Sequence, residues 1–142
     1  MNLEIGQVLS MKVRFNNSGD VSRVNHPYLI IDIKEEYGFI EVAQIDSLEG
    51  KEYKAAFRTN KTILKDNPPE TVIDKDSYVQ LDNKFTLEYY DELSKYRRQL
   101  DKLSEGKLQM AISAYKKYQK EHHLDENKIV YMDKNEIEKL NR

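Results

Sequence analysis

Apolar and polar positions along the first ninety residues follow a period of two. From Val8 to Phe15 the chain alternates, with Leu9, Met11, Val13 and Phe15 on one side, which predicts a half-buried strand. Tyr28 to Ile33 is a nearly continuous apolar run rich in isoleucine, the pattern of a strand buried on both faces. Phe39 to Ile45 is β-prone, with Glu41 and Gln44 as polar interruptions, and Tyr37-Gly38 supplies turn chemistry before it. Asn16 to Asp20 reads as a loop, Tyr53 to Phe57 as a fourth strand, and Asp66-Asn67-Pro68-Pro69 as a breaker. Val72-Ile73 and Ser77 to Leu81 are short strand candidates, and Phe85 to Tyr89 fits either extended chain or the start of a helix.

Beyond this point the period changes. Tyr89, Leu93, Tyr96 and Leu100 recur at helical spacing, predicting a short amphipathic helix. Ser104 is the expected N-cap of a second helix, whose apolar stripe is Leu108, Ala111, Ile112, Tyr115 and Tyr118. Lys116, Lys117 and Lys120 suit the negative end of its dipole. Ile129 to Met132 predicts a late strand, and Asp133 with Glu136 a capping box opening a terminal helix through Leu140. The fold class expected is α+β. One domain comprises a small, strongly bent antiparallel sheet over about 5–90, helices over about 89–121, and a strand and terminal helix over about 128–141.

A chain of 142 residues is long enough to bury a sizeable core as one domain, and 34% charged with 39% hydrophobic residues is not the composition of disorder. With no cysteine there are no disulfides or thiolate metal sites, and nothing resembles a signal peptide or a membrane span; a soluble, cytoplasmic protein without membrane partners is expected. A net charge of −2 argues against indiscriminate binding to nucleic acid. Locally, Lys51, Lys54, Arg58, Lys61 and Lys65 follow one another with few acids between them, and Tyr53 and Phe57 are interleaved. Cations for phosphates and π-faces for bases suit single-stranded RNA; a solvated, lysine-guarded strand edge has the same composition. Tyr28 joins Tyr53 as a candidate stacking platform, or both belong to the edge of the core.

His26 precedes the long apolar strand, and Asp46-Ser47 closes the next one. Antiparallel pairing would set these ends side by side. His122 and His123 are adjacent, so on a helix they diverge by about 100° and cannot clamp one ion. There is no P-loop, dinucleotide fingerprint or HExxH, and neither metal nor cofactor is expected. RNA can be cut by its own 2′-hydroxyl, given a base, an acid for the leaving 5′-oxygen, and donors for the phosphorane charge. His26 titrates in the range for acid or base, Ser47 and a neighbouring N–H can hold a phosphate oxygen, and Lys51 can neutralise charge. Asp46 would orient His26 or repel phosphate. Each residue also has a plainer reading as a loop histidine, a turn and a hairpin lysine.

The ordered set resembles a known family. GQVLSMKVRF is similar to the opening strand of the MazF/PemK (Kid/CcdB-like) toxins, NHPYLIIDI to their Arg-Pro strand with His26 at the arginine, and VAQIDS to the strand ending in their Thr or Ser. The ToxN/CptN branch of type III toxin-antitoxin systems is similar again, with a lysine before the Pro/aromatic strand and a Ser-Pro-Lys-like turn after the next. The comparable positions are His26, Asp46-Ser47 and Lys51, and the likeness spans about residues 5–118. It implies an SH3-like barrel with appended helices, and a metal-independent endoribonuclease toxin that cuts single-stranded RNA to a 2′,3′-cyclic phosphate. His26, Ser47, Lys51 and Asp46 would be catalytic, and Lys54, Arg58, Lys61, Lys65, Tyr28 and Tyr53 would bind RNA. It also implies a cognate antitoxin, either a structured RNA of the type III kind or a small protein, with a homo-oligomer or a toxin–RNA assembly. Two alternatives stay open on the same fold: a non-catalytic RNA-binding module, and a protein-binding toxin like the gyrase poisons.

Overall fold

A computed structural model describes residues 2–142. Its strands are β1 (Val8–Met11), β2 (His26–Lys34), β3 (Phe39–Ser47), β4 (Asn60–Ile63), β5 (Ser77–Gln80), β6 (Lys84–Glu88) and β7 (Ile129–Met132). The helices are α1 (Glu105–Glu121) and α2 (Lys134–Leu140), so the class is α+β. The seven strands form one sheet in the order β1-β2-β3-β5-β4, with β6 also on β3 and β7 on β6. Every pairing is antiparallel except that of β6 with β7.

The centre is β2 beside β3, joined through a 3-10 turn at Glu35–Tyr37 and Gly38, whose φ of 73° is open to glycine. Side chains alternate along a strand, so each of these two feeds two cores. Tyr28, Ile30, Ile40 and Val42 pack with Leu9, Met11 and Phe85 on one face. Leu29, Ile31, Ala43 and Ile45 pack with Val79 and with Leu108, Ala111 and Tyr115 of α1 on the other. Burial of the isoleucine run on both faces is what its sequence predicts. A register shift between Ile30 and Asp32 bends β2. β3 bends with it: its far edge pairs with β6 over Phe39–Val42 and with β5 over Ile45–Ser47.

The curled sheet is closed by side chains. Arg14, just past β1, donates from Nε to Glu136 at 2.6 Å and from Nη2 to the Tyr131 carbonyl at 2.7 Å. Asn17 donates to the Ile129 carbonyl at 2.7 Å. Gly6 locks α1 against the sheet: its φ is +97°, and a Cβ there would stand 2.9 Å from Leu108 Cδ2. Asp133 caps α2 by accepting the Glu136 N–H at 2.8 Å, as the sequence predicts, while the Glu136 carboxylate serves Arg14 instead of completing the box.

Several expectations are corrected. Tyr53 to Phe57 is no strand; a 3-10 turn covers Glu52–Ala56, and the fourth strand is β4, one segment later. Tyr53 and Phe57 pack on each other and both stay exposed. Val72 and Ile73 are buried but lie in irregular chain. Phe85 resolves as strand, in β6. The helix expected toward Leu100 shrinks to a 3-10 turn at Asp91–Tyr96, because Arg97 and Arg98 bond the free edge of β1 instead. The regular part of β1 ends at Met11, short of the expected Phe15. No helix among the described residues is long and apolar enough to cross a membrane.

Candidate functional site

The last three residues of β3 leave β2 and pair with β5, setting Asp46 opposite Tyr78 and Ser47 opposite Ser77. Tyr78 in turn faces Thr62 of β4. Alternation therefore puts Asp46, Tyr78 and Thr62 on one face and Ser47, Ser77 and Ile63 on the other. On the Asp46 face the chain turns back immediately, through a Lys51 N–H to Leu48 carbonyl bond of 2.9 Å and the 3-10 turn after it. That reversal lays Lys51 Nζ 3.0 Å from the Asp46 carboxylate, which also accepts the Ser47 N–H at 2.8 Å. Lys51 and Lys54 both stand over the Tyr78 ring, 5.8 and 5.7 Å from its centroid, within cation–π reach. Partial burial works against the Lys51 charge, but the hydrogen bond and attraction of Asp46 outweigh it, and the ammonium is held above its ordinary range.

A cleft of about 200 Å³ opens beside this group, lined by Lys54, Phe57, Asn60, Tyr78, Gln80 and Asn83 among others. Tyr53 packs edge-on to Phe57 at 5.8 Å, and both rings face solvent. Asn83 donates to the Phe15 backbone carbonyl at 3.3 Å. Cations, open π-faces and amides thus meet in one strip, the combination that suits an unpaired polynucleotide. Asp82, which also lines the cleft, is taken up by Lys128 at 2.5 Å.

The remaining expected residues are distributed differently. His26 opens β2, half-buried, paired across to Met11. It shares the face of Tyr28, hence that of Asp46, but regular β2–β3 pairing stops at Tyr28–Gln44, before His26. Ser47 points to the opposite face, so the imidazole and this hydroxyl are not brought together. The Ser47 Oγ accepts the Glu49 N–H at 3.0 Å and borders a second cavity, of about 260 Å³, behind the sheet. Tyr28 is fully buried, edge-on to Phe85 at 5.7 Å, and cannot stack on a base. Its hydroxyl has no hydrogen-bond partner among the described residues, and burial pushes its pKa far up. Lys61 lies on β4 opposite Val79, which turns it away from the Tyr78 face. Lys65 lies past the end of β4, by Leu48 and Lys75, and Arg58 is exposed beside the cleft residues Phe57 and Thr59.

Asn60, Gln80 and Asn83 carry no site signal of their own in the sequence. Tyr78, which the sequence leaves between stacking platform and core edge, is only 2% exposed beneath Lys51 and Lys54. No protein-family model matches the chain, and none of the curated proteins matches it.

Proposed function

We propose that this chain is a metal-independent endoribonuclease of the MazF/PemK and ToxN kind, built on a small SH3-like barrel and acting on single-stranded RNA from the Asp46 face. The observation that carries the reading is the convergence of Asp46, Lys51, Lys54 and Tyr78 beside a cleft lined by exposed Phe57, against which exposed Tyr53 packs. In the mechanism we infer, Asp46 takes the proton of the attacking 2′-hydroxyl. The 2′-oxygen bonds phosphorus, and the bond to the 5′-oxygen breaks. Lys51 balances the charge on the phosphorane oxygens, where a fixed cation in a partly dry site acts most strongly. His26, on the same face, protonates the departing 5′-oxygen. The products are a 2′,3′-cyclic phosphate and a free 5′-hydroxyl. Lys54 and Arg58 hold flanking phosphates and the aromatic pair holds a base. A cognate antitoxin, RNA or small protein, would cover this same face.

The test is incubation of purified protein with mixed single-stranded RNA in excess chelator, followed by end analysis. Cuts bearing cyclic phosphate are expected, reduced by about 10²–10⁴-fold in Asp46→Asn and in Lys51→Ala, the span of one acid–base or charge contribution. Intact RNA from antitoxin-free protein would sink the proposal. A second reading, RNA binding without cleavage, is favoured by one observation. Asp46 is already engaged by Lys51 and the Ser47 N–H, and no hydrogen bond joins it to His26. Tight, salt-sensitive binding of uncut RNA is its signature.

A further inference from the structure

The cavity at the end of β3, bordered by both Asp46 and Ser47, is distinct from the cleft beside Tyr78. Its floor is apolar and buried, with Val8, Ile45, Val72 and Ile73 between 1% and 7% exposed. Ser47 and Ser77, opposite one another on β3 and β5, line the same space. Each hydroxyl is half used: Ser47 Oγ accepts from the Glu49 N–H, and Ser77 Oγ donates to the Lys75 carbonyl at 2.9 Å. Ser47 therefore keeps a proton to donate and Ser77 keeps lone pairs to accept.

Two opposite charges, Asp74 and Arg98, stand exposed at the mouth. Among the described residues neither side chain has a hydrogen-bond or ion-pair partner, whereas the other two lining charges are engaged, Lys75 by Glu49 at 2.6 Å and Asp46 by Lys51 at 3.0 Å. The Arg98 backbone is pinned through its N–H to the Val8 carbonyl at 2.8 Å. At about 260 Å³ the cavity falls just below the roughly 300–1,000 Å³ of drug-sized sites, which leaves room for a single ring system.

A flat ligand, apolar on its faces and polar along its edges, matches such a site, and an unpaired RNA base is one. Guanine suits the mouth best. Its O6 and N7 accept from an arginine fork, while its N1–H and amino group can donate to a carboxylate. Adenine offers the arginine only N7 and carries an amino donor where guanine has O6, and pyrimidines have no N7. Asp46 and Ser47 are consecutive, so a strand crossing the end of β3 can rest a phosphate at Lys51 and turn the neighbouring base into the cavity. We propose that this cavity seats one unpaired base of the bound RNA and that Asp74 and Arg98 make it select guanine. This rests on the RNA reading given above, and deepens it by naming where sequence is read.

The experiment is an amide NMR titration of the full chain with guanosine, adenosine, cytidine and uridine 3′-monophosphates, with inorganic phosphate as control. The guanosine nucleotide is expected to shift Val8, Ser47 and Ser77 and to bind at least about fivefold tighter than the others. Asp74→Asn and Arg98→Ala, both at exposed positions, should each weaken it by about 5- to 150-fold, the range of one good bidentate base contact. Equal binding of all four nucleotides, equal binding of phosphate, or shifts confined to Lys51, Lys54 and Tyr78 would overturn the proposal. Guanosine binding here without RNA cleavage would refute the nuclease and keep the base pocket. Cleavage with no nucleotide in this cavity would do the reverse.

Discussion

One carboxylate of the terminal helix, Glu138, gathers three donors from the segment after β6, and its removal should have a distinctive pH signature. Glu138 of α2 accepts from the Tyr90 hydroxyl at 2.9 Å and from both Lys95 and the Tyr96 hydroxyl. Chiefly through Lys95, then Tyr96, these donors push its pKa down from 4.5 to about 2. At about 1.4 kcal/mol per pH unit that displacement corresponds to roughly 3 kcal/mol. The Glu138 side chain keeps 26% of its surface and Lys95 keeps 52%, so solvent screening lowers the useful part to about 1–2 kcal/mol. The sign follows from the direction: a carboxyl depressed in the folded state stabilises above its unfolded pKa and loses that contribution as pH falls toward the folded one. Glu138→Gln should therefore cost about 1–2 kcal/mol at pH 7, or about 4–8 °C in Tm for a chain of this size. The difference from the parent protein should shrink to about half at pH 3 and nearly vanish by pH 2. Urea unfolding of both proteins at pH 7 and pH 3 is the assay. A cost that is the same at both pH values would show that Glu138 acts by packing alone and would refute the reasoning.

Gly6→Ala should destabilise the fold by about 2–3 kcal/mol, since it forces a left-handed backbone and drives a Cβ into Leu108 Cδ2. Gly19→Ala has the same φ of +97° but nothing within 4 Å, so it should cost only about 1 kcal/mol, and thermal melts of the two separate contact from strain. Tyr53→Ala and Phe57→Ala should each weaken single-stranded RNA binding by about 1–3 kcal/mol with the salt slope unchanged. Lys54→Ala should instead reduce that slope by about 0.7, as loss of one phosphate contact does, and filter binding across a salt series distinguishes the two behaviours.

What could be read from the chain alone was local. The run from Tyr28 to Ile31 announces burial on both faces because no polar residue interrupts it, and the Asp133–Glu136 spacing announces a cap because one hydrogen bond within four residues satisfies it. Tyr53 to Phe57 looked like a strand on side-chain preference, but a strand needs a partner, and Tyr78 had its ladder with Thr62. The Tyr89–Leu100 periodicity was overridden in the same way, by the long-range claim of β1's edge on Arg97 and Arg98. Both misreadings are cases of non-local pairing outweighing local tendency.

The site shows how the same limit bears on function. The sequence points to the end of β3, and Asp46, Lys51 and Lys54 do gather there. Asp46 and Ser47, adjacent on a strand, project to opposite faces, the carboxylate to Lys51 and the hydroxyl to the Glu49 N–H, yet both border one cavity. What alternation alone does not reveal is the switch of β3 from β2 to β5 after Gln44, which exchanges His26 for Tyr78 as the neighbour of Asp46. That exchange depends on a partner more than thirty residues downstream and on the bend that divides the sheet. Asp46 and Ser47 both border the cavity of about 260 Å³, while the cleft of about 200 Å³ is lined by Lys54, Phe57 and Tyr78, so the end of β3 has one recess and the Lys54–Tyr78 group another. On the proposed RNA reading, one strand would have to cross the end of β3 to reach both recesses, which a single nucleotide would not do.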